Sequence, residues 1–224
     1  MVQLAIDAAD DEPGIALAVG GVVGLSATWV TQRNHSVELL PNIERLLVEA
    51  GRTNRDIEAV FVDLGPGGYA ALRVGVSVAK ALAHGLSVPI VGIGRLELEA
   101  HSVAAEAGAR RIVAVHRAGR AEAAWAAYRS GDDGWHEEVA PRIGKAPELH
   151  AAITAGDIVT GDFDDELTVV LSAAGASAAS RQQHRVVALA ALGHARLVAG
   201  RTDDATALVP LYLRAPAIGP QSNG

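Results

Sequence analysis

Apolar residues in this chain follow two rhythms that alternate along its length. Val2-Gln3-Leu4-Ala5-Ile6-Asp7 is an apolar run ending in an acid, and Gly14 to Val19 is a second. Gly20-Gly21 is a hairpin signal, and the run from Val22 to Val30 completes a three-stranded meander. The spacing then changes. Val37, Leu40, Ile43, Leu47 and Ala50 recur at helical intervals, with Gly51 as a stop and Asn34 or Ser36 as a cap. Pro41 lies about one turn inside, which predicts a late start or a kink. Next come a strand (Ile57 to Leu64), a turn (Gly65-Pro66-Gly67-Gly68), a helix (Tyr69 to His84) and a strand (Val88 to Ile93). These are the parts of a βαβ crossover. A helix from about Arg95 to Ala107 follows.

The second half has a similar plan. Strands are expected at Ile112 to Val115, Ala123 to Tyr128 and Trp135 to Val139, with turns at Arg117-Ala118-Gly119-Arg120 and Gly131-Asp132-Asp133-Gly134. A short helix (Pro147 to Ala155), a strand (Asp157 to Gly161) and an acidic, solvated loop (Asp162 to Glu166) come next. A strand at Thr168 to Leu171 and a long helix ending near Gly200 follow, and Val209 to Leu213 closes the ordered chain before a frayed end, Gly219 to Gly224. Two similar α/β lobes are therefore predicted, 1–107 and 108–224.

The helix from Tyr69 to His84 is unusual. Arg73, Ser77, Lys80 and His84 fall at i, i+4, i+7 and i+11, one narrow polar stripe on an otherwise apolar or small surface. Ala71, Gly75, Ala79 and Ala83 form a small-residue ridge of the kind that permits close helix packing. Periodicity alone leaves open whether the lobe's own elements cover this ridge or another subunit does.

Composition narrows the classes. Half of the 224 residues are hydrophobic, enough for a sizeable core, and the formal charge is −7. That charge disfavours general nucleic-acid binding, which needs a basic face. With no cysteine there are no disulfides, thiolate nucleophiles or cysteine-ligated zinc sites. The first apolar run has no basic leader and no run reaches the roughly 20 residues of a spanning helix, so a cytoplasmic protein without membrane contact is expected.

Candidate chemistry is sparse. Asp7 at the end of the first strand is either a strand-end cap or an acid that positions magnesium, and Asp10, Asp11 and Glu12 beside it would repel a phosphate. Gly67 and Gly68 stand where phosphate loops occur, but the Gly-Lys-Ser/Thr of a Walker loop is missing, which leaves a tight turn or a helix N-terminus as the alternatives. The histidines form no HExxH pair, so no metal site is readable, and no Gly-x-Ser-x-Gly nucleophile occurs. Arg33, Arg73 and Lys80 are either part of a local basic patch or solvated and paired charges.

The motifs together resemble the TsaB (YeaZ) family. Ala5-Ile6-Asp7 with Ile15-Ala16-Leu17 is similar to that family's "AIDT…VAL" opening, and His35-Ser36…Leu39-Leu40-Pro41 continues the likeness. Gly65-Pro66-Gly67…Arg73-Val74-Gly75 and Ala79-Lys80-Ala81-Leu82 resemble "GPGSFTGLRIG…AKGLA". Glu122…Trp125-Ala126-Ala127-Tyr128 and Pro210-Leu211-Tyr212-Leu213-Arg214 extend it. The chain departs where Gly68-Tyr69-Ala70-Ala71 replaces Ser-Phe-Thr-Gly, where Ala8-Ala9 replaces Thr-Ser, and where Arg117 and Gly119 alter "DAR".

The resemblance implies the fold shared by actin, hsp70 and sugar kinases (ASKHA), with a five-stranded mixed sheet and helices in each lobe and the tail packing back on the first. It also implies a non-catalytic subunit without cofactor, partner of TsaD and of the ATPase TsaE, reaching tRNA indirectly in threonylcarbamoyladenosine synthesis and forming a homodimer when isolated. Pairing through helices 36–50 and 69–84 would place His35, Leu39, Ile43, Leu72, Arg73, Gly75, Val76, Ala79, Lys80 and Ala83 at the interface. The alternatives are an ATP-dependent small-molecule kinase or phosphatase, with ATP or ADP in degenerate loops at Asp7, Gly67 and Gly68, and a self-associating relic.

Overall fold

The computed structural model describes the chain apart from residues 32–33, 120–121, 132–133, 163–164, 182 and 214–224, and apart from the side chains of 166 and 167. Arg33, Arg120, Asp132, Asp133, Asp164, Arg214 and the tail from Gly219 to Gly224 therefore lie outside the described residues.

The elements run β1 (Val2–Asp7), β2 (Gly14–Val19), β3 (Val22–Thr28), α1 (His35–Glu49), β4 (Ile57–Asp63), α2 (Tyr69–Leu86), β5 (Ile90–Ile93), α3 (Arg95–Ser102) and α4 (Ala104–Ala107). The second half runs β6 (Ile112–Arg117), β7 (Glu122–Gly131), β8 (Gly134–Lys145), α5 (Ala146–Ala152), β9 (Ile158–Gly161), α6 (Asp165–Ala174), β10 (Ser177–Ala178) and α7 (Arg185–Val198). The first sheet has the order β3-β2-β1-β4-β5 and the second β10-β9-β6-β7-β8, the same order read from the other edge. In each, the first three strands are antiparallel and the last two run parallel to the first. The chain thus contains one architecture twice.

Side-chain size decides which helix covers which face. On the first sheet Leu4, Ile6, Ile15, Leu17, Val60 and Val62 point to α1 and α2. The opposite face carries Ala5, Ala16, Ala18 and Ala59, which let α7 come close. At Gly193 of α7 an added Cβ would lie 2.4 Å from the Phe61 ring. The second sheet repeats the device, with Ala114, Ala124 and Ala126 facing α3 and α4, and larger Val113, Val115 and Trp125 facing α5 and α6. Helices α3 and α7 pack against each other between the sheets. Leu98 of α3 joins the first sheet's core and Leu96 the second's.

A division at residue 107 is therefore too simple. Helix α7, late in sequence, covers the first sheet, and the segment beyond it straps the same lobe. Asp203 Oδ2 accepts from Gly92 N (2.7 Å) and Leu211 N donates to Leu64 O (2.8 Å).

Several local expectations change. Helix α1 begins at His35 and runs through Pro41, so the late start is wrong. Both Pro41 and Val37, whose carbonyl the missing N–H would have bonded, are exposed, where water can satisfy the orphan. The buried face of α1 is Leu39, Ile43, Leu46 and Leu47; Val37 and Leu40 point outward. Asn34 is the N-cap residue but makes no side-chain cap bond. Thr168 to Leu171 is helical, not a strand: β-branched residues suggested extension, but Leu171 is buried, Val169 exposed, and Gly175 at φ +71° ends the helix. Strand β3 stops at Thr28, and the helix after Arg95 breaks at Val103. Strand β8 reaches Lys145, well beyond Val139, because β7 pairs with it out to Glu122. A register shift between Trp125 and Ala127 leaves Pro141 in a bulge, which hid the alternation.

Candidate functional site: the inter-lobe crevice and the outer helix face

Open α/β sheets bind ligands beyond the carboxyl ends of their parallel strands. Here those ends converge from both sheets: Asp7 closes β1, Asp63 closes β4, His116 is near the end of β6 and Asp162 follows β9. Helices α3 and α7 add Arg95, Glu99 and Arg185.

Arg185 is the centre of this cluster and is completely buried. Its Nε donates to Asp7 Oδ2 (3.0 Å), one Nη to Asp10 Oδ2 (2.8 Å) and the other to Glu99 Oε1 (3.2 Å). Asp63 Oδ2 lies 3.9 Å from Nε. Arg95, also buried, approaches Asp10 (3.1 Å), Glu99 (3.7 Å) and Asp162 (3.5 Å). Arg181 donates to Glu99 (3.1 Å), and His116 Nδ1 lies 2.7 Å from Asp162. Asp162 is therefore an internal ion-pair partner and not part of a merely solvated acidic loop.

Charge divides unevenly within this hub. Burial pushes the Asp7 carboxyl up, but Arg185, then His184 and the Ala9 amide, bring it down to about 2. Burial and the Asp7 charge push Asp63 well above the carboxylate range. The two carboxyls facing this guanidinium are thus driven in opposite directions, Asp7 toward its charged form and Asp63 toward its neutral one. Its hydrogen bond to His116 outweighs burial and holds Asp162 at about 2.

The glycine turn is closed as well. Gly68 N donates to Ala9 O (2.8 Å), and an added Cβ at Gly67 would sit 2.2 Å from that oxygen. The turn from Gly65 to Gly68 therefore packs on the loop after β1 in place of cradling an anion. Arg185 thus already holds Asp7, and Ala9 holds the Gly68 amide.

The outer face of α1 and α2 is the second feature. Of the anticipated interface residues, His35, Leu39, Ile43, Leu72, Gly75, Val76, Ala79 and Ala83 are buried within the chain. The small-residue ridge faces inward: an added Cβ at Gly75 would lie 3.0 Å from the Ala8 Cβ. His35 Nε2 reaches the Asp10 carbonyl (2.8 Å). Lys80 donates to Thr206 O (3.1 Å) and Leu208 O (2.9 Å), clamping the strap onto α2. Arg73 remains exposed and donates to Tyr69 Oη (2.9 Å). What faces outward is Val37, Leu40 and Val48 from α1, Tyr69 from α2, and Val209 and Tyr212 from the strap. Tyr69 and Tyr212 rings lie 5.2 Å apart, and a cavity of about 530 Å³ opens beside them between the starts of α1 and α2.

Sequence reasoning found Asp7 but missed Asp63, Arg95, Glu99 and Arg185. Arg95 and Glu99 stand at i, i+4, which on a surface helix is an ordinary pair. Nothing local marks them as buried; only the crossing of α3 and α7 between the sheets does that.

Two lobes of this topology, their parallel strand ends meeting in one crevice, define a two-lobed α/β protein of the actin and sugar-kinase class. A solved nucleotide-bound member, the activator of 2-hydroxyisocaproyl-CoA dehydratase from Clostridium difficile with ADPNP, shares the fold at TM-score 0.53 and 10% identity over 90% of this chain and 97% of that one. YeaZ from Pseudomonas aeruginosa superposes at TM-score 0.78, with 22% identity over 94% of this chain and all of that one. Residues 15–158 match the family model for TsaD, tRNA N6-adenosine threonylcarbamoyltransferase. The tRNA threonylcarbamoyladenosine biosynthesis protein TsaB of Escherichia coli (strain K12) is 31% identical over 148 residues, 66% of this chain and 64% of that protein. The aligned part thus spans just under two thirds of that relative's length. The chain belongs to this threonylcarbamoyltransferase family. Among the described residues, no helix is long and apolar enough to cross a membrane, and no group of His, Asp and Glu is disposed to hold a metal.

Proposed function

We propose that this chain is the scaffold subunit of a TsaD-like threonylcarbamoyltransferase in tRNA threonylcarbamoyladenosine synthesis, and that it performs no catalysis itself. The observation that carries this reading is the outer face of α1 and α2, where Val37, Leu40, Val48 and Tyr69 are exposed on two helices packed side by side. Exposed apolar residues grouped on one face of a folded domain mark an interaction site. The family membership supports a catalytic TsaD-like subunit as the occupant, with a TsaE-like ATPase joining the assembly, tRNA met through the catalytic subunit, and the whole working in the cytoplasm.

The interface proposed here is shifted from the small-residue ridge to the ridge's opposite side. It also takes in Arg73 and the strap residues Val209 and Tyr212. In the absence of the partner the same face pairs two copies of this chain. Absence of catalysis is supported by the filled crevice, where Arg185 holds Asp7 and Asp10 and Arg95 reaches Asp10 and Asp162. Copurification of a tagged chain with the TsaD homologue of the same genome tests the reading. A complex weakened by Val37→Glu with Leu40→Glu is expected; failure of the wild-type chain to form any complex refutes it.

A further inference from the structure

The crevice between the lobes is where a protein of this shape holds a ligand, and here side chains fill it. Both sheets aim their parallel carboxyl ends at it, so a cation placed there would meet Asp7 and Asp63 from one lobe and Asp162 from the other. The guanidinium of Arg185 takes that position, within 3.0 Å of Asp7 and 2.8 Å of Asp10. Arg95 extends the positive charge across the gap, 3.1 Å from Asp10 of the first lobe and 3.5 Å from Asp162 of the second. Glu99, itself buried, lies between the two guanidinium groups and also receives Arg181. One carboxylate oxygen, Asp63 Oδ2, is buried with no hydrogen-bond partner and faces Arg185 at 3.9 Å. The hub is therefore a set of acids from both lobes organised around cations that the chain supplies itself.

We propose that Arg185 and Arg95 are the built-in occupants of this crevice, standing in for a bound cation and bolting the two lobes together at a fixed separation with no ligand present. Arg185 anchors the bolt in the first lobe through Asp7 and Asp10. Arg95 carries it across to Asp162, which His116 fixes from β6 at 2.7 Å. Hinge closure around a ligand is a common motion of two-domain proteins. In this chain the closing contacts are already made, and the lobes form one rigid support behind the outer helix face. The bolt stands or falls independently of the partner assigned above.

The chain has no cysteine, so two introduced ones are the only labelling sites. Nitroxide labels at Glu49→Cys on α1 and Ala151→Cys on α5, both exposed, report the distance between lobes by pulsed electron resonance. The wild-type background is expected to give one narrow distribution, the same with and without millimolar magnesium-ATP. Asp162→Asn, which cuts the bolt at its partly exposed end, is expected to broaden or shift it, and Arg185→Met to do so further. An Asp162→Asn chain that keeps native circular dichroism and the wild-type distribution overturns the proposal. So does a folded Arg185→Met chain with that distribution, or a wild-type shift on adding the nucleotide. If Arg185→Met does not fold, Asp162→Asn alone decides.

Discussion

Replacing the two strand-end acids one at a time and then together is expected to give an unequal pattern, because both face the Arg185 guanidinium. Burial raises the Asp7 carboxyl, but Arg185 and then His184 and the Ala9 amide bring it down to about 2 from an ordinary 3.8. A depressed acid contributes stability that is complete above its unfolded value and is lost as pH falls through the folded one. At about 1.36 kcal/mol per unit, that shift is on the order of 2 kcal/mol at pH 7. Asp63 has the opposite sign: its raised value gives stability that is present below the ordinary carboxylate value and lost as pH rises toward the folded value. Burial and the Asp7 charge both oppose an ionised Asp63, and Asp63→Asn removes that opposition.

Asp7→Asn is expected to lose on the order of 2 kcal/mol, with part of the loss recovered as Asp63, freed of its neighbour's repulsion, shifts toward its charged form and pairs with Arg185. The double variant has no such rescue and strands a buried guanidinium, so it should exceed the sum of the single changes by about 1 kcal/mol or more. Urea denaturation of the four chains at pH 7 and pH 5 measures this directly. Equal costs for the two single variants, or additivity within about 0.5 kcal/mol, refutes the opposite bias of the two carboxyls.

Other expectations follow from where side chains point. Ala79→Glu places a carboxylate in the core between α2 and the first sheet and should cost several kcal/mol or abolish folding, read as loss of the cooperative urea transition. Val37→Glu with Leu40→Glu changes exposed positions only. Its stability should stay within about 0.5 kcal/mol of wild type per site while copurification of a TsaD-like partner drops. Gly193→Ala drives a methyl group into the Phe61 ring and should destabilise by about 1–3 kcal/mol in thermal or chemical denaturation.

Periodicity made most of the architecture legible. The first meander, the βαβ crossover and α7 follow from runs that alternate or repeat at helical spacing, and the repeated plan was visible without shared residues. Two kinds of feature were not. Helix α6 and the far half of β8 depend on tertiary partners: Leu171 has to find the second sheet's core, and a bulge at Pro141 breaks the alternation. The crevice is non-local in a stronger sense, because Asp7, Glu99 and Arg185 meet only when α3 and α7 cross between the sheets. The α2 ridge shows the limit of spacing in the other direction. Spacing found the small residues of α2, but their inward orientation depends on Ala8 and the loop after β1 lying against Gly75.

The central claim, a scaffold whose outer helix face serves threonylcarbamoyladenosine synthesis, is tested most directly by depleting this chain in its own cell and quantifying tRNA nucleosides by mass spectrometry. Threonylcarbamoyladenosine should fall, and should be restored by the wild-type chain and by Asp63→Asn but not by Val37→Glu with Leu40→Glu. Unchanged threonylcarbamoyladenosine after depletion, or full restoration by the helix-face variant, contradicts it.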